Sequence, residues 1–463
     1  MLRALTGDAA RALTAELRAL VGDAGVGDPA DRRWGRDATE SQGVEGRPDA
    51  VVLPASTEEV RAVVAWCCAH ALPIVPRGGG SGFAGGAVPV HGGVVVALDR
   101  MTRVRQFDPL LWRIHVEAGL RTSELRRIAR ESGLLFPPDP GAAEQSQIGG
   151  NIATNAGGPH AFKHGVTGRW VTGLEAVVPP GEVVEVGGPL RKDVAGYDLK
   201  GLLIGSEGTL GIITAAWLRL IPAPEAAAPV IAFYPDVAAG CAAIERILGS
   251  GVEAAAIEYL DAGALAAAAG AAPFEVPPGS FAVIAEADGS AAETVAVAAA
   301  LREALAPGAA ALQTPATPAE IAALWRWRDG IAIAVTAQRG GKMSEDVAVP
   351  LDRVADMVEA TLEIGARHGL QACSWGHAGD GNLHATFLLD ATDAAEIARA
   401  QEAAAELFAT AAAMGGTISG EHGLGLVKSG HLGRQWNPAT LRLHRAIKTA
   451  IDPQNLMNPG KKL

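Results

Sequence analysis

The sequence predicts an α+β protein of more than one domain, and three observations carry that prediction. A chain of 463 residues is longer than one hydrophobic core usually serves. Its first 222 residues open with a short β/α pattern and then give two glycine-rich loop systems. From residue 223 strand-like runs alternate with alanine-rich helical stretches, which predicts a second α+β domain on an antiparallel or mixed sheet. At 49% hydrophobic and 19% charged, the chain can bury large cores and reads as soluble and globular.

The elements follow in order. In "MLRALTGDAARALTAELRALVG" the charges Arg3, Asp8, Arg11, Glu16 and Arg18 interrupt any apolar signal core, so an amphipathic helix is expected. No stretch approaches 18 uncharged apolar residues, so no transmembrane segment is expected. The expected location is the cytoplasm, with a peripheral membrane contact left open. Ser56 followed by Glu59 is a capping box, and Val60, Val63, Val64 and Cys67 then share one helical face. "LPIVP" and "GVVVALD" read as strands on either side of a glycine loop, and "GSEGTLGIIT" as a loop running into a strand. "IPAPEAAAP" (221–229) reads as a linker. "VIAFYP", "SFAVIAEADG", "EDVAVP" and "HATFLLD" read as strands of the second domain. The expected boundaries are 1–222, 223–422, and a helical tail 423–463 that returns to the first domain.

Charge and cysteine usage exclude several functions. A formal net charge of −12 makes nucleic acid an unexpected partner, because phosphate binding needs clustered Lys and Arg. Cys67, Cys68, Cys241 and Cys373 are too few for a disulfide framework, and no C-x-x-C suggests an iron–sulfur cluster.

"PRGGGSGFAGGAVP" (76–89) carries six glycines, and successive N–H groups in such a loop can hold an anion. Gly80 through Gly85 match G-x-G-x-x-G, but "GAVPVHGG" follows instead of a helix, which argues against a Rossmann site. "PPDPGAAEQSQIGGNIATNAGG" and "GSEGTLG" add two more glycine-rich loops. One phosphate needs one loop, whereas three separated loops fit a long dinucleotide such as FAD.

"WGHAGDGNLH" (375–384) poses a different question. If Asp380-Gly381 is a two-residue hairpin turn, His377 directly opposes His384 and the two imidazoles lie side by side. That suits one metal ion, although two ligands do not complete a site, and packed or surface histidines are the plainer alternative. In "ISGEHGLG", Glu421 offers a third ligand, and His422 points elsewhere and can act as a base, a role that imidazoles commonly fill. A solvated loop pair is the alternative there. Arg328 in "ALWRWRDGI" is either an exposed helix charge or a clamp for a carboxylate.

Taken in order, "PRGGGSGFAGGAVP", "PPDPGAAEQSQIGGNIATNAGG", "KDVAGYDLKGLLIGSEGTLGIIT", "GHAGDGNLH", "SGEHGLG" and "NPGKKL" resemble the FAD-dependent D-2-hydroxyacid dehydrogenases over nearly the whole chain. That family includes D-lactate and D-2-hydroxyglutarate dehydrogenases and the FAD subunit of glycolate oxidase. The resemblance implies a vanillyl-alcohol-oxidase-type (PCMH-type) FAD-binding domain plus an α+β substrate or cap domain with an antiparallel sheet. It implies that Arg77, Gly78, Gly79, Gly80, Ser81 and Gly82 contact the pyrophosphate. Gly149, Gly150, Asn151, Thr154 and Ala156 would line the flavin, with Glu207, Gly208 and Ile212 toward the adenine or ribose. Pro76, Pro138, Asp139, Asn155, Gly157, Gly211 and Asn458 complete the expected cofactor set. The first glycine loop has Ser81 and no histidine, so FAD is expected to be non-covalent.

The same resemblance implies metal ligands at His377, His384 and Glu421 and a catalytic base at His422, which also touches substrate. Zinc is the first expectation for the metal, with manganese or iron as alternatives. Arg328 matches the family's W-x-x-R arginine and would hold the substrate carboxylate, helped by Lys342. Two departures stand out. Ser344 occupies the position where the family often places a lysine, and Ala332 occupies that of a threonine in the hydroxyglutarate branch. Both tilt the expectation toward a smaller acid such as D-lactate. The expected reaction is metal-assisted oxidation of a D-2-hydroxy acid to the 2-oxo acid by hydride transfer to flavin N5. The alternatives are a glycolate-oxidase-like FAD subunit, a metal-free flavin oxidase, an inactive assembly subunit and, more remotely, a metal-dependent hydrolase of a phosphorylated substrate. The electron acceptor is open among a quinone, an electron-transfer flavoprotein, a cytochrome and oxygen. The family also suggests a homodimer.

Overall fold

A computed structural model describes residues 8–39 and 43–463. The chain forms two compact units: Met1–Ala156 with Val166–Pro222 and His422–Leu463, and Gly157–Gly165 with Ala223–Glu421. Gly157 therefore belongs to the second unit, and the tail of the first unit begins at His422 rather than Gly423.

In the first unit, a helix spans Asp8–Val21 and buries Leu13, Leu17 and Val21, which recur at i and i+4. The seven residues before it lie outside the described residues. A four-stranded sheet runs in the order Val26–Gly27, Ala50–Val52, Val94–Ala97, Ile74–Arg77. Its last three strands are parallel. The helix Thr57–Ala69 makes the crossover. Ser56 caps it by accepting from the Glu59 N–H, and Glu59 reaches back to the N–H of Ala55. Val60, Val63, Val64 and Cys67 are its buried face. A five-stranded antiparallel sheet follows in the order Val104–Asp108, Arg113–Glu117, Ile212–Arg219, Val171–Val178, Glu182–Gly187. Both sheets feed one apolar core through Val52, Ile74, Val96, Ile114, Ala176 and Leu218. Parallel pairing leaves the loop after Arg77 at the carboxyl end of its strand, where ligands of such sheets bind.

The second unit is a seven-stranded sheet in the order Ala311–Gln313, Ala226–Tyr234, Phe281–Gly289, Ala256–Leu260, Gln371–His377, Asn382–Leu389, Gly341–Ala348. Every pairing is antiparallel. One face packs on helices Ala262–Ala268, Pro318–Asp329 and Ile331–Arg339 through Ile284, Leu324, Trp327, Val335 and Trp375. Helix Val237–Gly249 packs on the other face so tightly that a Cβ on Gly240 would meet Phe281 at 2.1 Å.

Two expectations are corrected. The stretch 221–229 is not a linker: Ile221-Pro222 pairs with Leu134-Leu135, and from Ala226 the chain is strand. Alanine-rich sequence carries no strand signal, but its ladder to Phe281–Gly289 decides the matter. Pro229 is tolerated because the next strand pairs only from Ile231, which leaves the side of the missing N–H unpaired. The tail is not helical from Gly423. An irregular loop runs to Lys428, and the main helix is Pro438–Ile451. Gly423 and Gly425 have φ of 83° and 46°, and a Cβ on Gly425 would strike the Ala84 carbonyl at 2.0 Å. The four cysteines are buried and form no disulfide. Among the described residues no helix is long and apolar enough to cross a membrane.

Candidate functional site

In the first unit the glycine loop after Arg77 is shaped by backbone crowding. A Cβ on Gly79 would lie 2.0 Å from the Gln145 carbonyl oxygen, so this position accepts only glycine. Gly80 has φ of 68° and lies against the Arg77 guanidinium. By contrast, Gly82, Gly86 and Gly150 face open space, which lets a ligand approach their backbone. Arg77 is buried, donates from Nη1 to the Arg36 carbonyl at 2.7 Å, and has its pKa lowered by burial against the pull of Asp37. A cavity of about 380 Å³ is lined by Arg32, Arg33, Arg36, Arg77, Gly80 and Gln145. Asp37 shares this lining, and Arg33 pairs with Asp31 while Arg32 and Arg36 share Glu45, so four guanidinium groups stand among three carboxylates in a setting that suits an anion. Sequence reading missed Arg32, Arg33 and Arg36, although "DRRWGRD" sets them close together in a short run.

Other residues expected at the cofactor also make bonds within and between the loops. Asn151 donates to the Thr122 hydroxyl, and Asn155, at φ of 57°, accepts from the Gly168 N–H at 2.7 Å. Thr154 donates to the Gly150 carbonyl. The Glu207 carboxylate accepts from the N–H groups of Leu424 and Gly425 and from Lys462. Asn458 donates to the carbonyls of Gly86 and Glu207. Gly208 abuts Pro76, and Gly211 abuts Val177. Pro138 and Ile212 are buried, while Ser81, Asp139 and Ala156 are half-buried. His422 is half-buried and its ring lies 4.6 Å from that of Phe83 in the first glycine loop.

The second unit brings His377, His384 and Glu421 together, with one ligand atom from each lying within 4.8 Å of the others. The hairpin register differs from the expected one. His377 opposes Asn382, and His384 opposes Trp375, so the loop has four residues. A slip of two residues keeps both side chains on the same face, where a slip of one would have parted them. The imidazoles are thus diagonal neighbours, with ring centroids 5.3 Å apart and planes at 85°. Glu421 Oε1 lies 3.4 Å from His377 Nε2 and 3.7 Å from His384 Nε2. Ligands of a tetrahedral metal with bonds of about 2.0–2.1 Å stand about 3.3 Å apart, so Glu421 lies at a suitable distance from both histidines.

Behind His377 stands Glu258, which the sequence reading missed. It is fully buried, directly opposes His377 in the sheet, and meets Nδ1 at 2.6 Å. That bond turns Nε2 toward Glu421 and His384. Burial works against a charged His377, but Glu258 and then Glu421 raise its pKa well above the ordinary value. The only signal in sequence was one acid inside the apolar run "AAAIEYL". Arg328, in the last turn of Pro318–Asp329, pairs with Glu258, and its Nη2 lies 3.4 Å from His377 Nδ1. Asp346, also buried, accepts from Asn382 Nδ2, from Ser419 Oγ and from the Glu421 N–H, which fixes the loop that carries Glu421.

Lys342 shares this face two cross-strand pairs away from His384, donates to the Ala332 carbonyl at 3.1 Å, and lies 5.2 Å above the Trp375 ring. Burial lowers its pKa to about 8. Between them, Ser344 and Thr386 share a hydrogen bond of 2.8 Å. Gly157 lies against Glu421, since a Cβ there would meet the Glu421 carboxylate at 2.7 Å.

The family model for FAD linked oxidases, C-terminal domain, matches residues 223–462, and that for an FAD binding domain matches 48–187. The chain belongs to the FAD-linked oxidase family. It is 37% identical over 419 residues to the glycolate oxidase subunit GlcD of Bacillus subtilis, covering 90% of this chain and 89% of that one. It is 33% identical to a D-lactate dehydrogenase of Anaerostipes hadrus, covering 94% of both chains. It is 37% identical to a D-2-hydroxyglutarate dehydrogenase of Xanthomonas citri, covering 94% of this chain and 93% of that one. In fold it is similar to 4-ethylphenol oxidase from Gulosibacter chungangensis, with a TM-score of 0.81 at 22% identity, covering 100% of this chain and 98% of that one. It is also similar to p-cresol methylhydroxylase, with a TM-score of 0.79 at 18% identity, covering 98% of this chain and 97% of that one. The fold is thus of the PCMH type, and the chain is an FAD-linked oxidoreductase. An FAD-binding domain leaves the hydrolase alternative without a basis.

Gly79→Ala should purify with a lower ratio of flavin to protein than the parent, as read from absorbance at the flavin band, because its methyl group cannot fit beside Gln145. Retention of a full complement of FAD would show that this loop tolerates a shift.

Proposed function

We propose that this flavoprotein oxidises a D-2-hydroxy acid of the D-lactate size to its 2-oxo acid, with help from a divalent metal. The observation that carries this reading is the convergence of His377, His384 and Glu421, with Glu258 orienting the first of them. A metal held by His377, His384 and Glu421 would supply Lewis acidity toward the α-hydroxyl, and FAD, when bound, would supply the two-electron acceptor for the α-hydrogen. The chain's own groups do the rest. Arg328 and Lys342 offer positive charge to the substrate carboxylate. The His422 imidazole takes the hydroxyl proton. Ser344 and Thr386 form a short polar floor without a formal charge, which favours a small side chain over a second carboxylate. FAD is proposed to be bound without a covalent link, and the oxidised acceptor that regenerates it is external.

The first test is anaerobic. D-lactate should bleach the flavin band more completely than D-2-hydroxyglutarate or glycolate, and protein stripped with EDTA should bleach far more slowly until zinc or manganese is restored. Bleaching untouched by chelation would replace this reading with a metal-free oxidase. Glu258→Gln should keep the flavin but weaken metal binding by about 10–100-fold, read as zinc retained on equilibrium dialysis. A pH test addresses Lys342. Its folded pKa sits below the ordinary lysine value, so its charge is present at pH 7 and is lost as pH rises through about 8. KM for the anionic substrate should therefore climb between neutral and alkaline pH in the parent and lose that limb in Lys342→Gln. Identical KM profiles would remove Lys342 from the substrate site.

A further inference from the structure

One end of the five-stranded sheet in the first unit carries positive charge that the fold neutralises only in part. Arg113 and Arg219 are direct cross-strand partners, and like charges placed opposite one another destabilise a sheet. Arg113 has Asp108 and the Pro189 carbonyl as partners. Arg219 has no carboxylate partner among the described residues, and its Nε is buried without a hydrogen-bond acceptor. Burial, then Arg169 and Arg191, lower the Arg219 pKa, so three guanidinium groups repel one another here. Each of three arginines lies over a tryptophan: Arg113 over Trp217, Arg191 over Trp112 and Arg219 over Trp170. Asp193 and Asp198, close by in sequence, each accept one backbone N–H, from Ala195 and from Gly201, and neither forms an ion pair with these arginines among the described residues.

Beside this charge the surface is apolar. Leu110, in the turn Pro109–Leu111, is 86% exposed. Leu111 and Leu190 are also exposed, and in the loop after Arg191 the side chains Val194 and Tyr197 are 90% and 94% exposed. Leu110, Leu111, Trp112, Arg113, Arg191 and Arg219 line a cavity of about 270 Å³. None of these residues belongs to the site described above.

We propose that this end of the sheet docks on an anionic lipid bilayer. The arginines would take phosphate headgroups, and the Leu110-Leu111-Trp112 turn would enter the acyl boundary. The pairing of exposed leucine and tryptophan with guanidinium groups is what the interfacial zone of a bilayer accommodates. The positive patch stands out on a chain of net charge −12, which otherwise repels an anionic surface.

The test uses the full-length, flavin-loaded protein in sedimentation with vesicles of phosphatidylcholine alone or of phosphatidylcholine mixed equally with phosphatidylglycerol. Binding to the mixed vesicles at low salt, lost at high salt and at least about tenfold weaker on phosphatidylcholine alone, is the expected result. Arg191→Ser should weaken it about fivefold, and the double variant Leu110→Ser, Leu111→Ser should abolish it. All three positions are exposed, so turnover in solution should be unchanged. Equal binding to both vesicles, or to neither, would overturn the proposal. Binding of inorganic phosphate or glycerol 3-phosphate without vesicle binding would also overturn it and assign the pocket to a soluble phosphate ester. If the leucine double variant instead turns a dimer into a monomer, the patch is an interface between copies and the lipid proposal fails.

Discussion

The candidate metal centre rests on one buried carboxylate. Glu258 sits at the middle of an antiparallel sheet with no exposed surface, opposite His377 and paired with Arg328. A carboxylate in such a place is tolerable only with partners, because an uncompensated buried charge costs several kcal/mol, on the order of 3–5 when one partner is removed. It has two, and each is thereby constrained. His377 must present Nε2, and Arg328 is drawn to the side of the imidazole. Glu421, His384 and the Asp346 contacts are arranged around that fixed ring.

The first unit solves a different problem with different chemistry. There the backbone, not a side-chain charge, sets the shape. Gly79 and Gly425 allow two chain segments to touch a carbonyl at distances that no other residue permits. Glu207 and Asn458 then tie the returning C-terminal loop to the glycine loops through backbone groups. Residues that look like ligands in the sequence can thus be braces. Asn151, Asn155 and Glu207 each bond a neighbouring segment, and open approach is left at Gly82, Gly86 and Gly150. Glu421 and His422 are consecutive, yet the first belongs to the second unit and the second to the first. One peptide bond therefore joins the proposed metal ligand to the proposed base.

Much of the fold and of the candidate site is legible in the amino-acid sequence. Strand and helix periods place the core of both units, since burial follows period 2 and period 3.6 directly. The Ser56 cap and its helix follow from local chemistry alone. The motifs identify the family and its flavin, because glycine loops and a His, His, Glu set must be spelled out at definite positions whatever surrounds them.

What the tertiary structure alone decided depends on pairing between distant segments. The alanine-rich stretch after Glu225 became strand because Phe281–Gly289 lies beside it, not because alanine favours strands. The hairpin took a four-residue loop, so the two histidines meet on a diagonal. Glu258 joined the centre from 119 residues away, and Asp346 from 75. Local sequence determines which residues can turn, coil or ligate. Only the sheet register determines which of them face one another, because a side chain's partner across a ladder is set by long-range pairing that no short window of sequence contains.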